Sequence, residues 1–126
     1  MNIALWVVQG LLALAFLMAG LMKVSRPKQQ LYEAGMTYVE DLSEGTTKII
    51  GMLEIAGAIG LILPALTGIL PILTPLAAVG LALTMIGAML THIRRNEYIP
   101  QLVVNAILGG LAIFVIYGRF ALEPIV

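Results

Sequence analysis

The sequence predicts an all-α fold, a four-helix transmembrane bundle with short cytoplasmic interfacial helices between spans 1 and 2. Three observations predict it. The chain is 60% hydrophobic and only 11% charged, against about 25% charged residues in a soluble domain, too few to cover a globular surface. Its apolar residues fall into four runs, each near the length of about 20 residues that carries a helix across the hydrocarbon. Its basic residues lie in alternate connections, the pattern of a multi-pass membrane protein.

Span 1 covers residues 3–24 and opens on an apolar run from Ile3 to Met22. A secretory signal has its basic residues in front. Here Lys23, Arg26 and Lys28 follow the run, so it reads as a retained helix. Span 2 covers residues 46–63 and stops at Pro64, with Glu54 inside "GMLEIAGAIGLILP". Span 3 covers 68–92, its early prolines 71 and 75 falling near the first turns, where a missing N–H matters least. Span 4 covers 99–118, with Pro100 opening it. The segment between spans 1 and 2 holds "SRPKQQLYEAG" and "MTYVEDLSEG". Pro27 at a first helical position and Gly35 at an end predict a short helix there, with Tyr32 and Tyr38 at headgroup level. Residues 1–126 form one transmembrane domain with no separate soluble part.

The loop after span 1 carries Lys23, Arg26, Lys28 and Lys48, and the loop after span 3 carries Arg94 and Arg95. The hairpin between spans 2 and 3 carries no charge. By the positive-inside rule, basic loops 24–47 and 92–98 are cytoplasmic and both termini are outside. Seven basic and seven acidic residues cancel, so there is no field for nucleic acid. The absence of cysteine excludes disulfides, thiol exchange and thiolate metal sites. No nucleotide loop, zinc spacing or nucleophile triad is present, and no metal is expected.

Small residues recur at helical spacing, as helix packing in membranes favours: Gly51, Ala56, Gly57 and Gly60 in span 2, and Ala77, Gly80, Thr84, Gly87 and Thr91 in span 3. Packing is the expectation for both stripes. The polar residues are more informative. Glu54 and Asn105 each lie six residues into a span, about 9 Å from its cytoplasmic start. Lys23 and His92 close the cytoplasmic ends of spans 1 and 3. All four spans thus contribute a polar group to one half of the membrane. Gln9 is the outlier, about 21 Å from Lys23 along span 1. An acid at mid-helix costs about 2.5–3.5 kcal/mol on insertion scales, so Glu54 needs an interior partner. Lys23, His92 and Asn105 are the candidates.

Glu54 reads either as a proton acceptor or headgroup partner, or as half of a structural pair that fixes helix register. His92 is the sole histidine, which makes a hydrogen bond to the cluster or to lipid phosphate a better reading than a metal or haem ligand. Arg94 and Arg95 read as topology and headgroup anchors, and Trp6 as an aromatic of the outer belt. Asn105 reads as an interhelical hydrogen-bond donor, and Gln101 as the same or as interfacial.

"AFLMAGLMKVSRP", "IGMLEIAGAIGLILP", "GAMLTHIRRNE" and "NAILGGLAIFVIYGR", in this order and spacing, resemble the DoxX-like family of small four-helix bacterial membrane proteins. The resemblance covers nearly the whole chain. It implies a place in the bacterial cytoplasmic membrane, with Lys23, Glu54, His92 and Arg94 at family-pattern positions. The family takes its name from a subunit associated with thiosulfate:quinone oxidoreductase, and some relatives are linked to oxidative-stress complexes. The absence of cysteine sets this chain apart from thiol–quinone oxidoreductases of similar shape, so a stand-alone redox enzyme is not expected.

The functional expectation is binding of an amphipathic small molecule, a quinone or a lipid, by Lys23, Glu54, His92, Asn105, Arg94 and Gln9. A soluble protein partner would dock on the basic face. The alternative is a non-catalytic accessory subunit or assembly factor. A transporter would need at least a homodimer through the small-residue faces, since one copy makes a thin bundle without an internal repeat.

Overall fold

The structure is a computed structural model, and it describes residues 2–36, 39–40, 42–97 and 101–122. Among these residues five α-helices follow one another: α1 (Asn2–Ser25), α2 (Lys28–Glu33), α3 (Glu44–Thr67), α4 (Leu73–Arg94) and α5 (Gln101–Tyr117). A wider π-type turn, Gly118–Leu122, ends the fourth long helix. Among the described residues, four segments are long and apolar enough to cross a membrane: Asn2–Ser25, Glu44–Thr67, Leu73–Arg94 and Leu102–Leu122. They form a closed ring in the order α1, α3, α4, α5, with α1 also touching α5.

Helix ends follow local chemistry. Ser43 caps α3, its Oγ accepting from the Thr46 N–H at 3.1 Å, and Glu44 in the first turn suits the positive end of the helix dipole. The helix therefore begins two residues before the expected Thr46. Pro27 is the residue that precedes α2 rather than its first member. Gly35, at φ 105°, ends α2 in a Schellman turn, with Met36 N–H on Leu31 O at 3.0 Å and Gly35 N–H on Tyr32 O at 3.1 Å. Asn96, at φ 59°, ends α4 in the same way, with Glu97 N–H on His92 O at 2.8 Å. Tyr38, Ile99 and Pro100 lie outside the described residues, as does the Gln101 side chain.

The α3 boundary corrects the sequence reading. The helix does not stop at Pro64 but runs on to Thr67. Pro64 has no N–H for the carbonyl of Gly60, and in the interior of a helix such a loss costs about 3 kcal/mol. Here Thr74 Oγ1 of α4 donates to Gly60 O at 3.1 Å, and Gln9 Nε2 of α1 donates to Leu61 O at 2.7 Å. Two neighbouring helices thus meet the carbonyls that the proline disturbs, the usual means by which a membrane helix tolerates proline. Gly68 then closes α3 at φ 74°, and its N–H reaches Pro64 O at 3.0 Å. So Gly68 belongs to the hairpin, and the third span starts at Leu73 instead.

The apolar core joins Leu12 and Phe16 of α1, Ala58 and Leu61 of α3, Ala78, Leu81, Ala82 and Met85 of α4, and Ala112 and Val115 of α5. Large side chains such as Leu11, Leu66, Leu83 and Ile107 face outward. In a bilayer this outward face is in its preferred solvent, and helices associate through close packing and polar contacts instead. The tightest approach is between α1 and α3. A Cβ built on Gly20 would lie 2.6 Å from Gly51 O, and one on Gly51 would lie 2.8 Å from Gly20 O. The expected packing role holds for Gly51, Gly57 and Gly60. It fails for Gly80 and Gly87, where an added Cβ meets nothing within 4 Å. The buried face of α4 is instead Thr74, Pro75, Ala78, Leu81, Ala82, Met85 and His92.

Candidate functional site

The glycine contact sets the site. Lys23 lies one turn beyond Gly20, and Glu54 lies one turn beyond Gly51. The two helices are antiparallel, and side chains on each tilt toward that helix's own N-terminus. Lys23 therefore leans into the bundle while Glu54 leans back toward the basic loops. They meet, and Lys23 Nζ donates to Glu54 Oε1. Both side chains are buried, at 7% and 3% exposure. Of the three candidate partners for Glu54, it is Lys23 that makes the ion pair. Lys48 reinforces the same seam by donating to Val24 O near the end of α1 at 2.9 Å, a cation on the negative end of the helix dipole.

Lys23, Glu54, His92 and Asn105 line one cavity of about 630 Å³. This lies inside the roughly 300–1,000 Å³ range of small-molecule sites. The other walls are apolar or small and include Phe16, Met36, Met85 and Leu108. Residues 34–36 and Leu42 contribute to the wall beside the basic loops. Asn105 is half-buried, and its amide makes no hydrogen bond with another described residue.

His92 lines the cavity, but its ring bonds elsewhere than to Glu54. Its Nδ1 lies 2.9 Å from Glu97 Oε1. With an ionised carboxylate as partner, that nitrogen carries the proton and donates. Arg95 Nε lies 3.2 Å from the other Glu97 oxygen, and Arg95 Nη2 donates to Glu40 at 2.8 Å. This chain of charges ties the loop before α3 to the loop after α4. The sequence signal for it is "HIRRNE", but the pairing needs the left-handed Asn96 to swing Glu97 back over His92. Arg94 is exposed and lies outside the cavity lining.

Gln9 belongs to a separate cluster at the end of the bundle where α1 begins and the fourth long helix ends. Arg119 Nε donates to Gln9 Oε1 at 2.7 Å, and Arg119 Nη1 donates to Asn2 Oδ1 at 2.7 Å. The guanidinium sits 5.4 Å from the centre of the Trp6 ring, within cation–π range. Arg119 is 3% exposed. Its burial escaped the sequence reading because an arginine at the end of a span looks like a headgroup anchor. The same contact gives Trp6 a partner inside the bundle beyond its expected place in an aromatic belt.

Among the described residues no group of His, Asp and Glu is arranged to hold a metal ion. The site's chemical means are hydrogen bonding by Asn105 and by the Lys23–Glu54 pair, inside apolar walls. Neither a curated relative nor a solved structure matches the chain. Residues 7–115, from the first helix into the last, match the model of the DoxX-like family. With four helices fit to cross a membrane in the expected order, this multi-pass chain belongs to the DoxX-like family.

Proposed function

We propose that this DoxX-like membrane protein binds an amphipathic small molecule, a quinone or a lipid, with the polar head in the cavity between the four helices. The supporting observation is the half-buried Asn105 amide, which lines a largely apolar cavity of about 630 Å³ and makes no hydrogen bond among the described residues. Such a cavity with a few convergent polar groups is the usual form of a small-molecule site. Lys23 and Glu54 compensate each other's charge, so the cavity suits a head that is neutral or zwitterionic overall. The protein would sit in the bacterial cytoplasmic membrane with its basic loops inside and both termini outside. A redox role would be exercised through a soluble partner on the basic face. Gln9 and Arg94 take no direct part in this reading.

The test is to purify the protein in mild detergent from a quinone-containing host, extract it with organic solvent and identify what is bound by mass spectrometry. A stoichiometric quinone or lipid, lost from Glu54→Gln and Asn105→Leu, is the expected result. Bulk phospholipid alone in all samples would refute it. The second reading, an accessory subunit or assembly factor, is favoured by one observation: Lys23 and Glu54 satisfy each other without a ligand. It predicts that Glu54→Gln lowers thermal stability with no stoichiometric ligand to lose, and that crosslinking recovers a specific membrane partner.

A further inference from the structure

The seam between α3 and α4 holds a second concavity, nearer the uncharged hairpin. It is a groove of about 770 Å³ with no charged residue in its lining. Its floor forms where Gly57 and Gly60 let α4 come close, their missing Cβ positions lying 2.7 Å from Leu81 and 2.8 Å from Ala77. Its flank is open at Gly80, where a Cβ would meet nothing within 4 Å. Thr84 lines both the groove and the polar cavity. Leu53 of the groove directly precedes Glu54 of the cavity in the chain. The cavity and the groove therefore adjoin at Thr84. From Thr84 to Leu73 the groove follows α4 for about 16 Å at the helical rise.

We infer that cavity and groove are two halves of one site: the cavity takes the polar head, and the groove takes a hydrocarbon tail that leaves past Thr84 and runs along the α3–α4 seam. The inference rests on the ligand-binding reading above and narrows it to long-tailed amphiphiles lying with the head toward the basic loops. The shared wall at Thr84 favours a tail over a second copy of the chain. A helix about 10 Å across would cover the groove from outside, whereas a single chain follows the seam into the cavity. In lipid the tail gains no hydrophobic energy by entering, so its recognition comes from fit, and filling the groove is the direct perturbation.

The experiment uses the full chain in nanodiscs and two probes with the same long saturated tail ending in a diazirine. One is an alkylated benzoquinone and the other a single-chain phospholipid. Tail-less benzoquinone and glycerophosphocholine serve as headgroup competitors, and their own binding is followed by equilibrium dialysis. For at least one probe, competed label is expected on residues 53–64 and 73–84. Which probe labels distinguishes a quinone from a lipid. Gly80→Leu should lower that label about tenfold while changing headgroup binding less than about twofold. Competed label confined to α5 or to the loop before α3 would overturn the inference and leave the ligand-binding reading standing. No competed label together with no headgroup binding would overturn both. Because the chain lacks cysteine, Gly80→Cys adds a clean control: a disulfide-linked dimer in membranes would assign the groove to a second copy and overturn the tail.

Discussion

Replacing Lys23 and Glu54 together with apolar residues is expected to leave the bundle nearly as stable as before, whereas replacing either one alone weakens it sharply. The two side chains are 7% and 3% exposed, and they lie beside Phe16, Ile50 and Met85. Removing one leaves the other's charge without its counterion in those surroundings, which costs about 3–5 kcal/mol in buried pairs. Removing both also removes the cost of taking two charges out of water, so Lys23→Met with Glu54→Leu should fall within about 1 kcal/mol of the parent. The assay is the fraction still monodisperse on size exclusion after heating in a fixed detergent. A loss of about 3 kcal/mol lowers the apparent midpoint on the order of 10 °C. Singles that lose less than about 1 kcal/mol would show that water reaches the pair despite its burial. A double variant as unstable as the singles would show that the two charges do not compensate each other. The same double variant separates stability from binding: it should regain the midpoint and still carry no extracted ligand.

Three further outcomes are expected. Gly20→Ala must push α1 off α3 by about 0.8 Å to turn a 2.6 Å approach to Gly51 O into an ordinary contact, at a cost of about 1–3 kcal/mol; Gly80→Ala should cost nothing measurable by the same heating assay, and equal effects would refute the packing argument. Thr74→Val should lose about 1 kcal/mol by leaving Gly60 O without its donor, and much less in a Pro64→Ala background, where the helix supplies its own N–H; a double-mutant cycle with zero coupling would separate the threonine from the proline. Single cysteines introduced at Ser25 and Thr67 in this cysteine-free chain should react with a membrane-impermeant maleimide from opposite sides, Thr67 in intact cells and Ser25 only after lysis; the reverse pattern would invert the proposed orientation.

The need of Glu54 for an interior partner was legible in the sequence because a charge inside an apolar run demands one, and Lys23, His92 and Asn105 were the candidates within reach. Lys23 prevails over His92 because side-chain tilt in antiparallel helices brings Lys23 and Glu54 together, while the turn at Asn96 gives His92 a nearer carboxylate. Pro64 misled because it punctuates sequence strongly, and its remedy, Thr74 and Gln9, comes from two other helices. The stripe at Gly80 and Gly87 has the spacing of a packed face. Spacing identifies a smooth side of a helix and carries no information about what lies against it. Arg119 was missed for a related reason: position along a span gives depth, but burial at that depth depends on whether α1 closes over it.

That closure has a bearing on how the protein is made. Gln9 and Asn2 leave the ribosome before the guanidinium that bonds to both, which belongs to Arg119, far along the chain. Until then the first helix must wait in the membrane with a polar amide unanswered on its Arg119 side. The clasp therefore closes only after the fourth span has inserted. Before that, the Gln9 side-chain oxygen is an open acceptor that the folded bundle buries against Arg119.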